Sequence, residues 1–125
     1  MQAKQGKTAS VSTTVNNSNT AKAVGSGSLN VFATPMMIAL MEQAACECLA
    51  DCLEQGQTSV GTNINVEHSA ASPIGAKITA TATIDLVDGR SLEFSVSASE
   101  SGREIGKGKH TRVIVNEEKF MGRLK

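Results

Sequence analysis

Apolar and polar positions change period along this chain. Residues 9–15 are rich in Ser, Thr and Val and predict a short strand. Residues 16–30 are polar and rich in Gly and Ser, a loop with one helical turn at residues 19–24. Thr34-Pro35 then marks a helix start, with Thr as N-cap and Pro in the first helical position. Residues 36–53 contain no Gly or Pro and are dense in Met, Leu, Ala and Cys, and Gly56 is the expected stop. The first two turns are apolar on nearly every side, so the helix is expected to be buried.

Beyond Gly56 the period falls to two. Val60, Thr62, Ile64 and Val66 share one face of a strand over residues 59–67. Ser72-Pro73-Ile74-Gly75 turns the chain. Ile78, Ala80, Ala82, Ile84 and Leu86 form the next apolar face, and Leu92, Phe94, Val96 and Ala98 the one after. Asp88-Gly89 and Ser101-Gly102 predict the hairpins between them. Residues 104–116 form the last long strand, and residues 117–125 a polar tail. The order predicts an α+β domain, a single central helix wrapped by a curved antiparallel sheet of about five strands. Residues 1–125 form one domain, with residues 1–8 and 121–125 as loose tails. Open sheet edges favour a two-fold homodimer.

Composition removes several function classes. With 12 basic and 12 acidic residues there is no global field for nucleic acid or an anionic membrane. Three Phe, no Tyr and no Trp argue against base stacking. No apolar run reaches the roughly 18 residues of a membrane span, and the N-terminal stretch lacks a signal peptide's apolar core, so a cytoplasmic location is expected. The charge is uneven: +3 over residues 1–30, −7 over 31–102 and +4 over 103–125. Cys46, Cys48 and Cys52 cluster within the helix. Cys46 and Cys48 point about 200° apart, so no metal site is expected and the three read as small buried residues.

Two residues stand out chemically. Glu42 sits among apolar neighbours two turns into the helix, either as a working carboxylate or at a solvated rim. His68 ends a strand beside small residues, either as a general base or as a structural histidine. Thr34 lies about 12 Å along the axis from Glu42, so the two border one groove without touching. His110 shares a strand face with Arg112 and is expected to face solvent.

Ordered segments of the chain resemble a known family. They are Val31-Phe32-Ala33-Thr34-Pro35, the helix carrying Glu42, Ser59-Val60-Gly61-Thr62, and Val66-Glu67-His68-Ser69-Ala70-Ala71-Ser72-Pro73-Ile74-Gly75. Glu104-Ile105-Gly106-Lys107-Gly108-Lys109-His110-Thr111-Arg112 and Glu118-Lys119-Phe120 continue the series. Together they resemble the hot-dog fold thioesterases of the fluoroacetyl-CoA thioesterase type, over about residues 10–121. The resemblance implies a hot-dog fold, a dimer with sites at the subunit interface, and catalytic Thr34, Glu42 and His68. It also places the Gly61 backbone, and Phe32, beside the substrate. Gly25-Ser26-Gly27-Ser28-Leu29 stands where the fluoroacetyl-specific enzyme carries an aromatic lid. A general short-chain acyl-CoA thioesterase is therefore expected, with CoA as part of the substrate and no separate cofactor.

The alternative is a non-catalytic acyl-CoA or small-ligand binder on the same fold. A hydratase would need an Asp/His pair, and His68 has Glu67 beside it instead. The phosphates of CoA call for cations. Period two puts Arg103, Lys107 and Lys109 on one face, and Lys107 and Lys109 are favoured because Gly106 and Gly108 allow close approach. The bland reading of these lysines is an edge strand kept soluble.

Overall fold

The computed structural model describes residues 3–124. Strand β1 (Thr8–Thr14) is followed by a single turn, α1 (Ala21–Val24), and by the long helix α2 (Thr34–Leu49). Then come β2 (Gln57–His68), β3 (Lys77–Asp88), β4 (Ser91–Glu100) and β5 (Arg103–Asn116), and a short helix α3 (Glu117–Gly122). The five strands form one antiparallel sheet in the order β1-β3-β4-β5-β2. The expected α+β architecture is present. Met37, Met41, Ala44, Ala45, Cys48 and Leu49 of α2 are buried, facing Ile78, Ala80, Ala82 and Ile84 of β3 and Phe94 and Val96 of β4 in one core. The alanines on both partners let helix and sheet approach closely, and interdigitation at this density is what makes such cores sensitive to a single methyl group.

Both expected hairpins form. Gly89 has φ 61°, and the Ser101-Gly102 pair has φ 50° and 81°, which is the left-handed geometry that tight two-residue hairpins require. The helix ends earlier than expected. Ala50 closes α2, with its N–H and that of Cys52 bonding three residues back to Glu47 and Leu49. This tightened last turn leaves Gly56 (φ 84°) to the following turn instead. Residues 117–125 are not simply a polar tail. The Asn116 side chain accepts from the Lys119 N–H and caps α3, which carries Glu117 and Glu118 in its first turn. The expected loose tails are likewise partly ordered. Thr8 opens β1, the Gly6 N–H reaches the Ile84 carbonyl at 2.8 Å, and Lys7 bonds Asp51 and the Cys52 thiol beyond the end of α2. The remaining tail residues 1, 2 and 125 lie outside the described residues.

Three bulges break the period-two reading. The β3–β4 register shifts between Ile84 and Leu86, so Leu86 leaves the core face and is 46% exposed. A second shift, between Ala98 and Ser99 against β5, places Ile105 as the extra residue. Arg103 therefore leaves the face of Lys107 and Lys109, and it bonds Glu100 and the Ala71 carbonyl. The third lies in β2, where Gly61 pairs with Arg112 but Asn63 with Thr111, leaving Thr62 unpaired. It puts Gly61 and His68 on the same side of the sheet, which strict alternation forbids.

β5 is an interior strand, between β4 and β2, so edge protection does not explain its lysines. Its glycines serve packing. A Cβ on Gly106 would lie 2.5 Å from Met37 Sδ and 2.8 Å from the Glu67 carbonyl oxygen. A Cβ on Gly108 would strike the Asn65 carbonyl oxygen and come within 2.6 Å of Val66 Cα. The two nearest contacts at Gly108 are with backbone, which yields less readily than a side chain. Gly108→Ala is expected to destabilise the fold by roughly 1–3 kcal/mol, read as a lower urea midpoint at constant m. An unchanged midpoint would mean that β2 moves away from β5 freely.

Candidate active site

The first turn of α2 and the end of β2 bring Thr34 and His68 together. Thr34 does not cap the helix. Ala33 holds the N-cap position without a side-chain bond, and the Thr34 hydroxyl lies 2.7 Å from His68 Nδ1. Pro35 makes this possible by starting the helix without needing a donor, which frees the threonine side chain. His68 is half-buried, and burial lowers its pKa below the usual 6.5, opposed by the Ala70 backbone. Its Nε2 is buried with no hydrogen-bond partner among the described residues. Thr34 and His68 open onto a cavity of about 250 Å³ whose wall includes Val31, Phe32, Ala21 and Ser26. Phe32 is 2% exposed and is pinned by its N–H to the Ser72 carbonyl at 2.9 Å.

Glu42 belongs to a second cluster. Its Oε2 accepts from Arg112 Nη1 at 3.2 Å, while its own side chain remains 42% exposed. The solvated-rim expectation is partly met, since the carboxylate is open on one side and held by a buried guanidinium on the other. Arg112 also donates to the Ser59 hydroxyl at 2.9 Å and the Ser59 carbonyl at 3.1 Å. Gly61 lies beneath: a Cβ there would be 2.6 Å from Glu42 Oε2, so only glycine leaves room for the carboxylate. Glu42, Gly61, Thr62, Asn63 and His110 line a second hollow of about 220 Å³.

His110 and Arg112 overturn the solvent-facing expectation, being 1% and 6% exposed. His110 Nδ1 lies 2.7 Å from the Asn63 carbonyl, which can only accept, so Nδ1 carries the proton. Nε2 then accepts from Arg112 Nη1 at 3.3 Å. Burial, followed by the Arg112 charge, depresses the His110 pKa, and the Asn63 carbonyl and Glu42 oppose them. A neutral His110 therefore holds both the bulge and the guanidinium that faces Glu42. The sequence carried a signal for this. Gly106, Gly108, His110, Arg112 and Ile114 share one face of β5, and the opposite face carries Lys107 and Lys109. Both faces could not be solvent.

A profile of the family described as fluoroacetyl-CoA-specific thioesterase matches residues 15–118. A fluoroacetyl-CoA thioesterase from Streptantibioticus cattleyicolor is 44% identical over 95 residues, covering 76% of this chain and 68% of its own. The chain belongs to the fluoroacetyl-CoA-specific thioesterase family. Its fold is that of the hot-dog thioesterases. A crystal structure of a variant of the fluoroacetyl-CoA-specific thioesterase with fluoroacetate and CoA is 36% identical, with a TM-score of 0.88, covering 94% of this chain and 98% of that one. A Thermus thermophilus hypothetical protein, described as a thioesterase superfamily member, is 25% identical with a TM-score of 0.91, covering 99% of this chain and 93% of that one.

Within this family member the residues expected to act divide into two groups. Thr34, His68 and Phe32 meet at one cavity, and Glu42 and Gly61 at another, with no hydrogen bond between the groups among the described residues. Lys107 and Lys109 lie elsewhere, on the sheet face turned away from α2. Lys109 Nζ is 3.1 Å from Asp85 and 2.8 Å from the Ser95 hydroxyl, and Lys107 Nζ is 3.9 Å from Glu104. Of the three cysteines, Cys48 and Cys52 are buried as expected but Cys46 is exposed. No helix among the described residues is long and apolar enough to cross a membrane.

Proposed function

We propose that the protein hydrolyses short-chain acyl-CoA thioesters to the free acid and CoA, with Thr34, Glu42 and His68 as its catalytic groups. The observation that carries this reading is the Thr34 hydroxyl 2.7 Å from His68 Nδ1 at the mouth of a cavity bounded by Phe32. A hydroxyl held against an imidazole of lowered pKa is poised to lose its proton to that imidazole, or to align a water that does so. The Gly61 N–H faces the thioester carbonyl and stabilises its developing negative charge. Glu42, held by Arg112, orients the reacting water or attacks as a carboxylate. Gly25-Ser26-Gly27-Ser28-Leu29 supplies no aromatic ring to the acyl end, so acetyl, propionyl and butyryl esters are all substrates and fluorine is not selected. The measurement is thiol release from acetyl-, propionyl-, butyryl- and fluoroacetyl-CoA. Calorimetric CoA binding without turnover on any of them would make the protein a binder instead.

The working unit in this reading is a cytoplasmic homodimer joined along β2. Among the described residues that strand pairs only with β5, which leaves its other edge open. Ile38, Glu42 and Cys46 follow one another at helical spacing on α2, and the half-buried Ile64 and Val66 of β2 lie on the sheet face turned towards that helix. Two copies of β2 running antiparallel would bring the Thr34–His68 pair of one protomer towards the Glu42–Gly61 group of the other. Sedimentation at micromolar concentration is expected to give twice the 13.0 kDa chain mass. A monomer with full activity would remove the shared site.

A further inference from the structure

A third cavity, of about 260 Å³, lies where the end of β5 meets α3. Val113, Val115 and Phe120 give it apolar walls, and Arg90, Lys119 and Arg123 line it with positive charge. Arg90 comes from the β3–β4 hairpin and is tethered there by its carbonyl, which accepts from the Ile114 N–H at 2.8 Å. Lys119 and Arg123 are four residues apart on α3 and its C-cap, so they share one side of that turn. Among the described residues no carboxylate lines the cavity. Among the described residues none of the three cations has an ion-pair or hydrogen-bond partner for its side chain. Lys107 and Lys109, by contrast, both have acidic neighbours.

Three unpaired cations around an apolar hollow suit a ligand that is anionic at one end and flat and apolar at the other. Adenine nucleotides have this chemistry: phosphates to the guanidinium and ammonium groups, base to the Phe120 ring. The cavity also lies close to the proposed site along the chain. Val113 follows Arg112 directly, and Asn116, in its wall, pairs with Gln57 at the start of the strand that carries Gly61.

We infer that this cavity binds the 3′-phosphorylated adenosine diphosphate end of the CoA substrate. The inference rests on the proposed acyl-CoA activity for its ligand, but its first test needs no turnover. Adenosine 3′,5′-bisphosphate is titrated calorimetrically into the wild-type protein, with ADP as the comparison lacking the 3′-phosphate. The bisphosphate is expected to bind more tightly. Lys119→Glu with Arg123→Glu is expected to weaken it by about tenfold or more, since each lost charge-assisted bond is replaced by repulsion. Arg90→Gln, a milder change in a hairpin, is expected to weaken it in the same direction. Lys107→Glu with Lys109→Glu should leave it unchanged.

In turnover, the α3 double variant should raise KM for acetyl-CoA about tenfold. Its kcat/KM for S-acetylpantetheine should stay at the wild-type level. Bisphosphate binding that survives both Arg90→Gln and the α3 pair overturns the inference. So does a larger loss from the Lys107/Lys109 pair, or ADP binding as tightly as the bisphosphate. If the α3 pair damages both substrates equally through the fold, Arg90→Gln alone decides. Hydrolysis with no effect of these variants refutes the cavity and keeps the hydrolase. Variant-sensitive bisphosphate binding without hydrolysis does the reverse.

Discussion

His68→Ala is expected to lower kcat for acetyl-CoA hydrolysis by ~10²–10⁴-fold, the usual cost of removing a positioned base. The substitution takes away the hydrogen-bond partner of the Thr34 hydroxyl. The fold should tolerate it, because the lost Nε2 has no partner to leave behind. The pH profile gives a second readout. Burial holds the His68 pKa below 6.5, so the imidazole is neutral and able to accept a proton throughout the neutral range. Activity should therefore be flat above pH 6.5 and fall only on the acid side, through the lowered pKa. Stability follows the same sign. His68 and His110 both have folded-state pKa values below the unfolded 6.5. The unfolded chain thus binds more protons, and stability is full above pH 6.5 and declines as the pH drops through it. Full activity in His68→Ala would take the imidazole out of the mechanism. An acid limb centred above 6.5 would contradict its burial.

Glu42→Gln is expected to lower kcat by about 10²-fold with a nearly unchanged thermal midpoint. The amide oxygen still accepts from Arg112 Nη1, so the buried guanidinium keeps a partner, but the negative charge is gone. The separation of the two readouts matters, because Glu42→Ala would leave Arg112 short of an acceptor and confuse chemistry with stability. Gly61→Ala supplies an independent check. The new Cβ would sit 2.6 Å from Oε2 and displace the carboxylate, so activity should fall in the same direction. Wild-type kcat in Glu42→Gln would show that the charge on this side chain takes no part in the reaction.

Period and punctuation were enough to predict α2 and the five strands, while α3 read as a polar tail. The Thr34-Pro35 start, the two glycine hairpins and the alternating strands all form within a few residues of where the pattern places them. What failed did so for local reasons. Leu86 and Arg103 lie beyond bulges, and a bulge is a pairing event between strands that leaves no mark on one strand's alternation. The end of α2 was misplaced because Ala50 to Leu53 suit a helix, and only tertiary contact decides whether they extend it. Thr34 looked like a cap because the preference for Thr before Pro is statistical, whereas its hydroxyl is drawn to an imidazole far along the chain. Of the site, the three ionisable or nucleophilic residues were legible as chemical anomalies or through family resemblance. His110 and Arg112 were legible only by elimination, from the lysines on the opposite face of β5, since a histidine and an arginine on one strand face look like surface until Glu42 supplies the counter-charge.

The extra residue at Thr62 sets what lengths of β2 this protein can tolerate. Deleting it would restore strict alternation and rotate half of the strand by one position. Either Ser59 and Gly61 or Ile64, Val66 and His68 would then turn away from α2. Each half is anchored by its own neighbours, Gly61 beneath Glu42 and His68 against Thr34, so neither is free to rotate. Insertions and deletions among natural relatives should therefore collect in the hairpin tips and the loop before α2, leaving this interior strand position free of gaps.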